Sequence, residues 1–356
     1  MNENIPLYPL SINNFYPHYS SDEIYTQQRV NGYTPRQLYT AYGFDERSLD
    51  AENMKIAVIC AFDNVALRFN TETFCREFSL PMPEISVYYP DGRANITTQS
   101  WITESSLDVQ WISAFAQGAE IMCIFAKDAQ TENMLSAVSF AKTLNPDVIS
   151  MSFGAVESGD FLEKGSVFDS SGTIFVASSG NIPSVPCFPS TDVNVLSVGA
   201  SELVTNEAGK RIRESVWRET GSGVSELFSI PQYQFRMQGI NELTDGKRGV
   251  PDVSFCGSRS YGASVFVSSM GGWTTAGGTS LACACVAGIC ACIAKKHPQV
   301  KRDGIANYFY TVAGQSIYNI PQYYFFDIVL GSNGRYFAKE GWDLCSGLGS
   351  VTSKTV

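Results

Sequence analysis

The stretch that decides the fold is Gly277-Gly278-Thr279-Ser280-Leu281-Ala282-Cys283-Ala284-Cys285-Val286-Ala287-Gly288. Small apolar residues continue it to Ala294, and Lys-Lys-His-Pro at 295–298 closes it. A glycine pair, a hydroxyl residue, cations near the end and a proline stop together predict a helix. Because this helix is apolar on all sides, we expect it to lie buried through the centre of a domain.

Ser280, in the first turn of this helix, has two interpretations. First-turn N–H groups have no intrahelical partner, and the positive end of the helix dipole favours negative charge. A serine there can be a nucleophile whose own N–H supplies half of an oxyanion hole. Serine is also a good helix N-cap, and this stretch alone leaves both interpretations open.

The composition argues against several classes of protein. The chain has 356 residues, of which 44% are hydrophobic, enough for one large α/β domain or two smaller ones. A net charge of −10 without a basic block disfavours nucleic acid as a partner. No apolar run approaches the roughly 20 residues of a transmembrane helix, so no membrane partner is expected. Residues 1–19 lack the basic and apolar regions of a signal peptide.

The ten cysteines favour a reducing compartment such as the cytoplasm. Buried free thiols behave as small hydrophobes. Four of the cysteines replace other small apolar residues in the central helix: Cys283, Cys285, Cys290 and Cys292. Metal binding by cysteine is disfavoured, because no Cys-x-x-Cys occurs and His18 and His297 are the only histidines.

Apolar runs of strand length alternate with helical patterns along the chain. The strand-like runs are residues 55–62, 85–89, 120–126, 147–153, 173–177 and 193–198. Helical patterns lie at residues 35–39, 104–116, 132–144 and 161–168. This alternation predicts βαβ units and a parallel sheet covered on both faces. Residues 1–32 form an N-terminal arm without periodicity, and residues 33–356 are expected to form one domain.

A nucleophilic serine needs a base, and histidine is the usual one. His297 lies about 17 residues beyond Ser280 on the same helix, about 25 Å away at ~1.5 Å per residue. His18 lies in the arm, where no helix or strand positions it. We therefore expect a carboxylate base instead of a Ser-His-Asp triad.

Glu104 and Asp108 are the candidates for that base. Their i, i+4 spacing places both carboxylates on one helical face. Two carboxylates held close share a proton, so one can act as a base while the other orients it. The alternative is a solvated acidic face, against which the apolar residues around the helix at 101–112 argue.

The loop Ser178-Ser179-Gly180-Asn181 follows a buried strand. Open α/β sheets place ligands at the carboxyl ends of their strands. The amide of Asn181 can donate a hydrogen bond in an oxyanion hole, although asparagine after glycine is also an ordinary turn residue.

Together these segments resemble the sedolisin family of serine-carboxyl peptidases (family S53), over roughly residues 33–350. The resemblance implies a subtilisin-like, three-layer α/β fold with a central, mostly parallel sheet and a buried nucleophile helix. It is carried by five main motifs: Glu104-x-x-x-Asp108, Ser150-Met151-Ser152-Phe153-Gly154, Ala177-Ser178-Ser179-Gly180-Asn181, Pro251-Asp252-Val253 and Gly277-Gly278-Thr279-Ser280.

The resemblance implies a role for each candidate residue. Ser280 matches the nucleophile, Glu104 the general base and acid, Asp108 the residue that orients the glutamate, and Asn181 the oxyanion position. One further segment matches the strand that pairs with an extended peptide substrate: Ser152, Phe153 and Gly154.

The resemblance also implies one calcium site near the C-terminus. Asp327 and Asp343 would supply carboxylates, and Ile328, Lys339 and Gly341 would supply carbonyl oxygens. Oxygen-only ligation from a glycine-bent loop suits calcium. The alternative is two unrelated loop aspartates.

The chain departs from the family pattern in four places. Asn181 stands where sedolisins have aspartate, so we expect activity closer to neutral pH. Ala284 replaces the family's proline, and the segment from Asp327 to Asp343 is short. The family's long prodomain and usual signal peptide have no counterpart. The chain is then either a mature fragment or folds without a prodomain, and Met1 together with the cysteine usage favours the second.

We interpret the chain as an endopeptidase or exopeptidase acting on peptide or protein substrates through an acyl-enzyme. One alternative is a catalytically weak or silent relative that serves a larger assembly, against which the intact Ser, Glu and Asp set argues. An esterase or lipase is disfavoured because no Gly-x-Ser-x-Gly elbow occurs.

Overall fold

A computed structural model describes residues 32–45, 47–169, 172–315 and 324–356, together with the backbone of residues 8–9 and 12–13. The helices are α1 Pro35–Tyr42, α2 Leu67–Glu77, α3 Gln99–Phe115, α4 Thr131–Thr143, α5 Phe161–Lys164, α6 Gln232–Phe235, α7 Ile240–Thr244, α8 Thr279–Lys296, α9 Val300–Asp303 and α10 Ile305–Gln315. The first nine strands are β1 Tyr8–Pro9, β2 Ile12–Asn13, β3 Lys55–Ala61, β4 Glu84–Tyr88, β5 Glu120–Ala126, β6 Val148–Met151, β7 Phe153–Val156, β8 Ile174–Ser178 and β9 Cys187–Phe188. The others are β10 Val195–Thr205, β11 Arg211–Val216, β12 Gly223–Ser229, β13 Lys247–Val250, β14 Val253–Cys256, β15 Ala263–Val267, β16 Gly272–Gly277, β17 Phe325–Phe326 and β18 Ser350–Val351.

A ten-stranded sheet forms the middle of the molecule, in the order β17-β18-β14-β10-β8-β6-β3-β5-β4 with β11 added beside β10. The pairs from β4 through β18 along this path are parallel, and only β17 and β11 join it antiparallel. Helices flank the sheet, which confirms the predicted subtilisin-like α/β architecture. The parallel arrangement places the carboxyl ends of β6 and β8 at the same edge, where the candidate residues lie.

Helix α8 packs against β6, β8, β10 and β14 and against helix α3. Every residue from Thr279 to Ala294 is buried, as its all-round apolar sequence predicts. By length and composition α8 could cross a membrane, but 89% of its apolar window is buried inside the protein, as in the core helix of a globular fold. All ten cysteines lie in the described part of the chain, where each is buried and none forms a disulfide.

The predicted strand over residues 147–153 divides at Ser152. The first part, β6, stays in the central sheet, while β7 leaves it and pairs with β9 and β1. The break coincides with a hydrogen bond from the Ser152 hydroxyl to Asp108. The chain therefore leaves the central sheet at the position where Ser152 contacts helix α3.

The N-terminal arm contains strands that its sequence pattern does not predict. Within residues 1–32, β1 and β2 pair with β7 and β16 through the backbone. The helix predicted to begin at Glu104 begins earlier, at Gln99, because the Thr98 hydroxyl caps it by accepting from the Trp101 N–H.

Candidate active site

Ser280 occupies the first turn of α8 but is not its N-cap. The cap is Gly278, whose φ of 101° suits glycine and whose N–H donates to the Gly257 carbonyl at 2.6 Å. The Ser280 Oγ is buried and has no hydrogen-bond partner among the residues that the structure describes. The N-cap interpretation is therefore wrong, and the hydroxyl is available for chemistry.

Helices α3 and α8 pack side by side. Gly288 lies against Ile112 and Phe115, since a Cβ at 288 would come within 2.9 Å of the Phe115 backbone. Earlier on both helices, Asp108 acts electrostatically on the Cys283 thiol, so the two helices run in the same direction. Glu104 lies eight residues before Ile112 and Ser280 eight residues before Gly288, about two turns on each helix.

Glu104 and Asp108 are both fully buried on α3. One Asp108 oxygen accepts from the Ser152 hydroxyl at 2.7 Å, and the other has no hydrogen-bond partner among the described residues. Burial, and then the charge of Glu104, hold the pKa of Asp108 well above its usual range. The raised pKa favours the protonated form of Asp108, which can donate a hydrogen bond to a neighbouring carboxylate.

Asn181 lies at the N-terminus of α8, beyond the carboxyl end of β8. Its Oδ1 accepts from the Thr279 N–H at 2.9 Å and from the Thr279 hydroxyl at 3.0 Å. Because the oxygen meets an N–H, the amide orientation is fixed and Nδ2 points elsewhere. Nδ2 is buried and has no partner among the described residues. The amide thus presents an unused donor beside the first-turn N–H groups of α8.

Thr279 and two glycines position this loop, and the sequence interpretation assigned none of them a role. The Thr279 hydroxyl also accepts from the Gly180 N–H at 3.2 Å. A Cβ at Gly221 would come within 2.5 Å of the Ser179 carbonyl, so only glycine fits there. For Thr279 and Gly180, the available signal was their place in the quoted motifs, next to Ser280 and Asn181.

The predicted substrate strand lies beside the carboxyl pair. Ser152 contacts Asp108 directly, and Phe153 and Gly154 begin β7. Strand β16 ends at Gly277, immediately before the Gly278 cap of α8.

His297, the histidine that the structure describes, does not reach this site. His297 follows the last turn of α8, at the opposite end from Ser280, where its ring lies 5.6 Å from that of Tyr308. His18 lies outside the described residues. Burial raises the pKa of the Cys283 thiol, one turn after Ser280, to about 12, so this cysteine is not a competing nucleophile.

The five predicted calcium ligands lie in one C-terminal loop region. Asp327 accepts from the Gly341 N–H at 2.9 Å, and Asp343 accepts from the Lys339 N–H at 3.0 Å. The two carboxylates thus face the same short segment, and Ile328 beside Asp327 is fully buried.

The carboxylate of Asp343 has no ion pair with a basic side chain among the residues described. Its other oxygen accepts from the N–H groups of Cys345 and Ser346 at 2.7 and 2.9 Å. Burial raises its pKa. A buried carboxylate without a basic partner, facing the same short segment as a second carboxylate, supplies two of the oxygen ligands that Ca²⁺ prefers.

Comparison with known proteins gives this geometry a family context. The model of the subtilase family matches residues 97–325. Kumamolisin from Bacillus sp. (strain MN-32) is 29% identical over 361 residues, which cover 89% of this chain and 62% of kumamolisin. Sedolisin from Pseudomonas sp. (strain 101) is 30% identical over 178 residues, which cover 46% of this chain and 28% of sedolisin. The chain thus spans less than two thirds of these relatives.

The fold also matches a solved structure, that of Pseudomonas sedolisin, a serine-carboxyl proteinase, complexed with two molecules of pseudo-iodotyrostatin. The TM-score is 0.77 at 24% identity, covering 91% of this chain and 96% of the other. At this identity the likeness establishes the shared fold.

The raised pKa of Asp108 predicts how stability depends on pH. Unfolded aspartate titrates near 3.9, so between that pH and the higher folded value the native chain binds more protons than the unfolded chain. Stability therefore falls as the pH rises through this window. Asp108→Asn should remove the part of this loss of stability that the Asp108 carboxyl causes. The measurement is the slope of Tm against pH from 4 to 8, which should be flatter in the variant.

Asp192 provides a matched control. Its pKa is raised to about 6, chiefly by burial, so Asp192→Asn should flatten the slope below that pH and leave it unchanged above. If Asp108→Asn leaves the slope of the parent intact, Asp108 is ionised in the native state.

Proposed function

Because the chain belongs to the subtilase family, with kumamolisin and sedolisin among its relatives, we propose that it is a serine-carboxyl peptidase acting from residues 33–356. One observation supports this proposal: helices α3 and α8 pack together, and Glu104 and Ser280, both fully buried, each lie about two turns before the contact at Gly288. The described histidine, His297, follows the other end of α8. This arrangement can run acyl transfer with a carboxylate as the base.

Substrate positioning comes first. Phe153 and Gly154 offer the edge of β7 to an extended peptide, which adds to it as a further strand. The hydrogen bond from Ser152 to Asp108 ties this edge to the carboxyl pair. A bound peptide is thereby placed in a fixed relation to both the nucleophile and the base.

Proton transfer follows from the unequal environments of the two carboxyls. Protonated Asp108 donates to Glu104 and keeps it ionised and oriented, so that Glu104 takes the proton from the Ser280 hydroxyl. Ser280 attacks the peptide carbonyl, and Glu104 then passes the proton to the leaving amine. Water, activated by the same glutamate, releases the acyl group.

The negative charge that develops on the substrate oxygen is held by two donors. The Ser280 N–H lies in the first turn of α8, and the Nδ2 of Asn181 is the unused amide donor beside it. Because an amide donates at every pH, this half of the hole does not titrate.

Calcium would be held by the carboxylates of Asp327 and Asp343 with the carbonyls of Ile328, Lys339 and Gly341. Its chemistry there is structural, because it neutralises buried carboxylates and ties together a loop. The catalytic steps above proceed on the chain's own residues.

The first prediction concerns the base. Ser280→Ala and Glu104→Gln should each remove nearly all hydrolysis of an internally quenched peptide. Loss of general-base proton transfer by itself lowers kcat by ~10²–10⁴-fold. His297→Ala is the control and should keep the parent kcat, with the Tm of each variant confirming its fold. Substantial activity in Glu104→Gln would contradict the mechanism with a carboxylate base.

The second prediction concerns the oxyanion hole. Asn181→Asp keeps the oxygen that accepts from Thr279 but replaces the free donor by a group that donates only when protonated. The optimum of the pH–rate profile should move toward acid, with a loss near neutral pH of about 10²–10³ in kcat. Superimposable profiles for the two forms would show that Asn181 is only a turn residue.

The third prediction concerns calcium. Chelation should lower Tm, since a ligand held at a hundredfold excess over Kd stabilises the native state by about 2.7 kcal/mol. Asp343→Asn should abolish the response, while Asp128→Asn, which alters another loop carboxylate that accepts local hydrogen bonds, should retain it. An unchanged melting curve in chelator, with no metal by elemental analysis, rules the site out.

A further inference from the structure

Asn64 lies buried at the corner where the chain leaves strand β3. The carboxyl end of β3 lies at the same edge of the central sheet as those of β6 and β8, because these strands are parallel. Phe62 enters the corner with a φ of 66°, a left-handed conformation that is rare for a bulky residue and persists only where the surrounding structure imposes it. The Asn64 Oδ1 accepts from the Ala66 N–H at 3.2 Å. This bond fixes the orientation of the amide and leaves Nδ2 as the donor toward helix α3.

The Nδ2 of Asn64 contacts three acceptors on one turn of α3. It donates to the Ile102 carbonyl at 3.1 Å and to the hydroxyls of Ser105 and Ser106 at 2.9 and 3.0 Å. The amide has two hydrogens, so one of them is shared between two acceptors. Both hydroxyls use their own protons within the helix, Ser105 on the Trp101 carbonyl and Ser106 on the Ile102 carbonyl, each at 2.8 Å. The serine oxygens are therefore left as acceptors for Asn64.

The turn that Asn64 holds is the turn that contains Glu104. The contacted residues lie on both sides of Glu104 in the sequence, at 102, 105 and 106, and Glu104 itself is fully buried. Asn70 of helix α2 adds a second link, since its Nδ2 donates to Ser106 at 3.2 Å and its Oδ1 accepts from the Ser268 N–H at 3.1 Å. The beginning of α3 is thus fixed by side-chain amides.

The other end of α3 is fixed by packing. Gly288 of α8 lies against the backbone of Phe115, and Glu104 is eight residues, about 12 Å, before Ile112 at the same contact. If the helix tilted by about 5° around that contact, Glu104 would move by about 1 Å. A displacement of this size at a reacting group can lower the rate by about 10²-fold. The hold on the first turns therefore decides whether Glu104 and Ser280 stay in reacting geometry.

We propose that Asn64 is a positioning residue: by holding the turn from Ile102 to Ser106 it sets the tilt of helix α3, and with it the place of Glu104 relative to Ser280. Asn64 itself does not touch the reacting atoms, and it acts only through the helix. This inference rests on the proposed function in taking Glu104 as the base.

Asn64→Ala removes the amide and leaves the helix able to fold. The hydroxyls of Ser105 and Ser106 keep their bonds within α3, so no buried hydroxyl loses its last partner. A second variant, Ser105→Ala with Ser106→Ala, removes two of the three acceptors instead. The matched control is Ser113→Ala, which deletes an equally buried hydroxyl of α3 that donates to the Val109 carbonyl at 2.6 Å, within the helix and near its packed end.

With an internally quenched peptide as substrate, Asn64→Ala should lower kcat by about 10²-fold. KM should change by less than about twofold, because the proposed substrate strand β7 is untouched. Ser113→Ala should keep both constants of the parent. Combining Asn64→Ala with the double serine variant should cost little more than Asn64→Ala alone, because both changes break the same contact.

Amide hydrogen exchange, read by mass spectrometry, tests the same hold without any substrate. In Asn64→Ala, exchange of residues 102–106 should become at least about tenfold faster, because the first turns of α3 open more often. Residues 110–115, at the packed end, should exchange as in the parent and so serve as the internal control.

The outcomes separate this inference from the proposed function. A kcat loss at unchanged KM, with faster exchange confined to residues 102–106, supports Asn64 as the positioning residue. Hydrolysis at the parent kcat in Asn64→Ala overturns the inference and leaves the peptidase proposal intact. Faster exchange throughout α3 with a lowered Tm shows a general structural role, which also overturns it. If no form hydrolyses the peptide, the peptidase proposal fails, and exchange alone decides whether Asn64 holds the turn.

Discussion

The close, parallel packing of α3 on α8 is the contact on which the site depends. At Gly288 any side chain would collide with the backbone of Phe115, so glycine sets how near the two helices lie. Glu104 and Ser280 each lie about two turns before this contact on their own helix. The proposed nucleophile and the proposed base come from segments far apart in the chain, and a rigid helix pair holds them more precisely than loops would.

Burial then determines the chemistry that this helix pair supports. Two fully buried carboxyls cannot both ionise cheaply, and burial together with the charge of Glu104 favours the proton on Asp108. In the proposed mechanism, protonated Asp108 acts as a neutral hydrogen-bond donor that orients the base. A histidine is unnecessary in such a site, because desolvation itself separates the roles of the two acids.

The sequence predicted those features that local patterns encode. The all-round apolar run gave α8, the apolar strands gave the parallel sheet, and the i, i+4 spacing put Glu104 and Asp108 on one face. The break at Ser152 was not predictable, because it depends on a contact with Asp108 in a distant helix. The link from Thr279 to Asn181 also joins distant segments. Strands β1 and β2 escaped detection because they pair through backbone groups, which leave no side-chain period.

The use of backbone groups has a consequence for the proposed substrate strand. A strand edge that recognises a peptide through backbone pairing reads the main chain, which is the same in every sequence. Such an edge accepts any extended segment that can reach it. In a site built this way, breadth of recognition follows from the pairing itself, and specificity has to come from side-chain pockets beside the strand.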